Sequence, residues 1–167
     1  FMRGKEDAHD YRYFPDPDLL PVRSGDIVER MRQHVPELPA EKATRFEQNY
    51  EITDYNANVL ASDRALADYF EAAVKSSQAK PKKTANWVIN TLLRHLNDDN
   101  LAPSASPVSP ERLAGTVDLI EAGTISNNQA REVFEVLWQS PERDPAEIAA
   151  EMGFEPADTG TIDAFID

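Results

Sequence analysis

The residues best suited to chemistry crowd the start of the sequence. Arg3, Lys5 and Arg12 share one short stretch with the acids Asp10, Asp16 and Asp18. Side chains alternate faces along an extended chain, so Asp16 and Asp18 fall on the same side. Such a mix can hold magnesium through its carboxylates or position a phosphate through its cations. A strand end with ordinary ion pairs accounts for the same residues. A second cluster, Lys75, Lys80, Lys82 and Lys83, stands just ahead of Trp87. Cations in the first turn of a helix oppose the macrodipole, at a cost of roughly a few tenths of a kcal/mol each. A sequence chosen for stability alone places acids there. The cluster therefore suits an outside anion such as an RNA backbone, with a solvated lysine-rich loop as the plain alternative.

Other chemistries find little support. His9, His34 and His95 are far apart and lack metal-ligand spacing. There is no Gly-x-x-x-x-Gly-Lys phosphate loop and no Gly-x-Ser-x-Gly elbow. With no cysteine in the chain, disulfides, thiolate metal sites and cysteine nucleophiles are excluded, and a reducing compartment fits. A carboxylate-based hydrolase built on Asp16 and Asp18 lacks a partner carboxylate at helical or hairpin spacing. The net charge of −13 argues against nucleic acid at long range, so any RNA contact must rest on local charge. No apolar run reaches the length of a membrane span, and no signal peptide is recognisable.

The elements that would position these residues are mostly helices, and the fold class expected is mainly α. Residues 1–22 read as a short strand followed by an extended, proline-directed arm. Ser24 can cap a helix carrying Ile27, Val28, Met31 and Val35, which Pro36 stops. Pro39 opens the next, striped by Ala43, Phe46 and Tyr50. Thr53 caps a short helix with Ala57 and Leu60. Ser62 or Asp63 caps a longer one facing inward through Leu66, Tyr69, Phe70, Ala73 and Val74. A further helix spans about 82–96, with Trp87, Val88, Leu92 and Leu96 spaced for burial. The aromatic pairs Tyr69–Phe70 and Phe134–Trp138 share the apolar period of their neighbours and read as core rather than stacking surface.

Residues 97–110, rich in Asn, Asp, Ser and Pro, read as the best domain boundary, a linker or long loop that cannot hold a packed core. Beyond it, Ser109 with Pro110 caps a helix that Gly123 ends. Ser126 with Gln129 forms a capping box, and Asp144-Pro145 with Glu147 repeats the device up to Gly153. Thr161 to Asp167 opens another amphipathic pattern through Ile162, Phe165 and Ile166. Because the chain stops inside this stripe, it reads as truncated, with that last helix mobile or paired.

The string from Met2-Arg3-Gly4-Lys5 through Asp10-Tyr11-Arg12-Tyr13-Phe14-Pro15-Asp16-Pro17-Asp18-Leu19 closely resembles a segment of the B subunits of glutamyl/aspartyl-tRNA amidotransferases, the GatB family. Pro36-Glu37-Leu38-Pro39, Asp54-Tyr55-Asn56-Ala57, Leu66-Ala67-Asp68-Tyr69-Phe70, Ala85-Asn86-Trp87, Gly123-Thr124-Ile125-Ser126 and Glu132-Val133-Phe134 follow in the family's order. Three departures stand out. Gly4 replaces the usual Ser, Asn56 a common Asp, and Asn127-Asn128-Gln129-Ala130-Arg131 a more lysine-rich stretch.

The resemblance implies a C-terminal portion of such a protein. Residues 1–22 would end the cradle domain, 23–105 would form the helical-bundle domain, and 106–167 an incomplete, YqeY-like tail. In the full-length GatB chain, ATP and magnesium phosphorylate the tRNA-linked carboxylate. Ammonia from the amidase, the A component, displaces the phosphate, and a small C component completes the complex. The resemblance thus implies tRNA and the amidase A and small C subunits as partners, and a cytoplasmic or organellar-matrix location without membrane. Arg3, Lys5 and Arg12 border the cradle site as candidate phosphoryl contacts. The portion alone is expected to bind no ATP or magnesium and to catalyse nothing. Docking of a non-catalytic helical module onto a partner protein of the complex is the competing reading.

Overall fold

The computed structural model describes residues 18, 24–32 and 34–154. The expected strand and arm within 1–22, apart from Asp18 in an exposed turn, lie outside the described residues, as does the stripe over 161–167. The chain divides into two compact units, residues 1–36 and 37–167. Every regular element among the described residues is helical.

The first unit holds α1 (Gly25–Arg32). The Ser24 carbonyl accepts from the Val28 N–H at 2.8 Å, so the helix starts where a cap was expected. It stops before Val35, and none of its residues is buried.

The second unit is a helical bundle comprising α2 (Pro39–Tyr50), α3 (Asp54–Ala61), α4 (Arg64–Ser76), α5 (Pro81–Trp87), α6 (Leu93–Asp98), α7 (Pro110–Glu121), α8 (Asn127–Gln139) and α9 (Pro145–Glu151). Its starts are set locally. The side-chain oxygens of Thr53, Asp63, Ser109 and Ser126 each accept an N–H three residues on. Gln129 returns the bond to the Ser126 N–H at 2.8 Å, completing the capping box. At α9 the device is only half made. Asp144 accepts from Ala146 N at 2.9 Å, but its second oxygen is taken by Arg112 at 2.7 Å, and Glu147 returns no bond.

Between α5 and α6 the helix opens into a π turn over Val88–Leu92, so the regular helix expected across 82–96 is interrupted. β-branched Val88, Ile89 and Thr91 weaken its local preference for α geometry. The burial stripe survives: Thr84, Ala85, Trp87, Val88, Thr91, Leu92, His95 and Leu96 all stay inside.

Two aromatic groups anchor the core. Phe46, Tyr50 and Phe70 join α2 to α4 with ring centroids 5.2–5.6 Å apart. Trp87, His95, Phe134 and Trp138 join the α5–α6 helix to α8. The core reading of both aromatic stripes therefore stands. One apolar core runs from α2 to α9 without a break.

Between α6 and α7 the chain forms the long loop rather than a linker, and the expectation that it joins no packed core fails at one residue. The loop contains a 3-10 turn at Pro103–Ala105, and Val108 is fully buried. The Tyr69 hydroxyl donates to the Val108 carbonyl at 2.9 Å, and Ser106 Oγ donates to the same oxygen at 2.8 Å. Polar composition concealed one apolar residue and one carbonyl that tie this loop to α4.

Candidate nucleic-acid interface

The lysine cluster lies on the end of α4, the loop after it and the first turn of α5. That loop is fixed from α7. Asp118 Oδ1 accepts from Ser77 Oγ at 2.6 Å, Gln78 N at 2.9 Å and Ala79 N at 3.0 Å. One carboxylate therefore binds three donors of the segment that leads into α5. Pro81 fixes the first helical position, and Lys80 at the N-cap caps through its carbonyl, which accepts from the Lys83 N–H at 2.8 Å, with no side-chain acceptor to add.

All four lysines are exposed, yet they are not equivalent. Lys83 Nζ sits 2.5 Å from Glu121 Oε2 on α7, so its charge is already engaged. Lys75, Lys80 and Lys82 make no ion pair among the described residues. Lys80 and Lys82 border an open groove of about 440 Å³ with Asn49, Tyr50, Glu51 and Pro81. Glu51 ends α2 in the left-handed region, with φ of 53°. That turn places Glu51 on the lining of the groove that Lys80 and Lys82 share.

On the other side of the same turn, Lys83, Asn86 and Trp87 line a hollow of about 210 Å³ with Val117, Ile120 and Asn127. Lys83, Asn86 and Trp87 follow helical spacing and so share one face of α5. Asn86 Oδ1 accepts from Asn56 Nδ2 on α3 at 3.3 Å.

The N-terminal candidates Arg3, Lys5, Asp10, Arg12 and Asp16 lie outside the described residues. Among the described residues, no group of three or more His, Asp or Glu is placed to hold a metal ion. No described helix is long and apolar enough to cross a membrane.

Sequence reading missed Asp118, Glu51, Glu121 and Asn127 as neighbours of the lysines, because nothing short-range links them. It also missed His95, whose Nδ1 lies 2.9 Å from the Thr91 carbonyl and Nε2 3.0 Å from Glu135 Oε1. This histidine, held against Phe134 and Trp138, fastens α6 to α8.

Comparison with known proteins bears on the whole chain. The GatB domain family matches residues 68–167, and the GatB/GatE catalytic domain family matches residues 1–29. The aspartyl/glutamyl-tRNA(Asn/Gln) amidotransferase B subunit of Sinorhizobium fredii is 49% identical over 99% of the chain, and that of Trichlorobacter lovleyi is also 49% identical over 99%. The corresponding protein of Cereibacter sphaeroides is 46% identical over the same share. The chain spans only 33–35% of the length of these relatives. On family match and identity together, the chain belongs to the GatB family.

Proposed function

We propose that this chain is a tRNA-engaging part of a GatB-type amidotransferase protein. In that reading the complete assembly, with the amidase A and small C subunits, converts Glu-tRNA(Gln) or Asp-tRNA(Asn) to the amidated form at the expense of ATP. Residues 1–22 border the ATP and magnesium site, 23–105 form the helical domain, and 106–167 begin the tail. From residue 37 onward, the described parts of the last two share one core and would move as a body. Arg3, Lys5 and Arg12 would meet phosphoryl oxygens, with Asp16 and Asp18 as weaker magnesium candidates. Alone, the chain would grip tRNA without catalysing amidation, in the cytoplasm or an organellar matrix.

The carrying observation is Lys80 and Lys82, exposed, without ion pairs among the described residues, beside an open groove on a loop held by Asp118. On a molecule of net charge −13, two such ammonium groups form a local exception that suits a phosphate backbone. Reversing both charges, Lys80→Glu with Lys82→Glu, should weaken tRNA binding and lower the slope of log affinity against log salt by about 2. Fluorescence anisotropy with labelled tRNA at several salt concentrations measures this; an unchanged slope removes the groove from the interface.

The docking alternative has its own observation. Ile27, Val28 and Met31 of α1 form an apolar stripe without burial. Absence of tRNA binding at low salt, together with co-purification of the amidase lost on Val28→Asp with Met31→Asp, would favour it.

A further inference from the structure

The hollow lined by Lys83, Asn86, Trp87, Val117, Ile120 and Asn127 is separate in lining from the Lys80–Lys82 groove, and backbone gripping gives it no task. Its chemistry is specific. Ile120 supplies the accessible apolar side, with only the edge of Trp87 (7% exposed) showing and Val117 fully buried behind it. The polar groups stand at its edge. Asn86 uses its oxygen on Asn56, which leaves its NH2 group available. The Asn127 amide makes no hydrogen bond within the described structure and offers one acceptor and two donors. Lys83 and Glu121 add a cation and an anion already in contact.

Size narrows the occupant. Sites for drug-sized ligands run from about 300 to 1,000 Å³. At about 210 Å³ this hollow takes one flat ring system and leaves an attached sugar and phosphate outside. One apolar side with carboxamides at the rim suits an unpaired base, whose faces are apolar and whose edges carry donors and acceptors. An aliphatic side chain would leave both carboxamides unused.

We propose that this hollow receives a single unpaired nucleobase of the bound RNA, read at its edge by Asn86 and Asn127. The proposal rests on the RNA reading given above and adds to it a base contact. Lys83 then meets the phosphate of that nucleotide, exchanging part of its contact with Glu121. Backbone contacts confer grip without sequence, whereas a base edge confers choice.

The test observes the side-chain NH2 signals of Asn86 and Asn127 by NMR in the 15N-labelled chain. AMP, GMP, CMP and UMP are titrated one at a time against ribose 5-phosphate. The expected result is saturable displacement of both signals by at least one nucleotide and by no ribose 5-phosphate. The same nucleotide should bind Asn127→Ala about tenfold more weakly, the loss of one good polar contact. Asn127 is exposed at the start of α8, so this variant keeps its fold. In tRNA titrations, Asn127→Ala should lower affinity while leaving the salt slope intact. No displacement by any of the four nucleotides at tens of millimolar overturns the pocket. So does equal displacement by ribose 5-phosphate, which assigns the effect to Lys83 alone. Nucleotide binding with unaltered tRNA affinity overturns the RNA base as occupant. Failure of the pocket leaves the salt-slope result at Lys80 and Lys82 untouched, so the two readings fall separately.

Discussion

Tyr69 shows how much one buried hydroxyl can hold. It is 8% exposed and donates to the Val108 carbonyl. Burial pushes its phenol well above the ordinary 10.0, and the nearby Ser106 hydroxyl offsets only part of that. The sign of the linkage follows. As pH rises past about 10, the unfolded chain releases this proton while the folded chain keeps it, so unfolding gains. The contribution is full below that value and fades as pH climbs towards the raised folded value. Tyr69→Phe should cost about 0.5–1 kcal/mol near neutrality, because Ser106 still donates to the same carbonyl. Above pH 10 the two urea-unfolding midpoints should draw together. Parallel curves across that range would show that Tyr69 ionises as readily folded as unfolded. Tyr50, which is also raised, is present in both proteins and cancels.

At the scale of elements, helix starts were legible and helix partners were not. Thr53, Asp63, Ser109 and Ser126 bond to N–H groups three residues away, so their spacing alone announces them. Asp144 shows the limit of that logic. The expected partner Glu147 was legible but makes no return bond, and the competing Arg112 stands 32 residues earlier. Asp118 reaches the loop at 77–79 across 39–41 residues, and His95 meets Glu135 across 40. No local pattern encodes such pairs. The π turn was equally invisible, since its burial stripe keeps helical spacing. Asp118→Ala should remove three hydrogen bonds at once and cost about 1–3 kcal/mol. Amide exchange should accelerate at Gln78 and Ala79 ahead of the rest of α4 and α5. Exchange unchanged at those two amides would mean that Pro81 and the adjoining helices suffice to hold the loop.

At the largest scale, the main result is the uninterrupted core of the second unit. Composition suggested a break near residue 105, because a run of Ser and Pro looks unable to pack. Val108 is nonetheless buried there, and α4 packs on α7 across it. The candidate site was half legible in the same way. Four lysines were visible as a cluster, but only the fold distinguished Lys83, occupied by Glu121, from Lys80 and Lys82. Continuity of the core has a measurable result. Phe70→Leu on α4 should cost about 1–2 kcal/mol. It should lower the urea midpoint reported by the α8 amide signals in NMR as much as the midpoint from helical circular dichroism. Displacement of the circular dichroism midpoint alone would mean that the two halves melt independently.

Asp118 already saturates the backbone N–H groups of Gln78 and Ala79. An arriving polyanion would therefore find the Gln78 and Ala79 N–H groups taken and would meet flexible ammonium tips first. Such tips tolerate many approach angles and impose no fixed stereochemistry on what they touch. A surface of this kind suits a ligand that slides and settles, leaving the accuracy of its final seating to some more rigid feature.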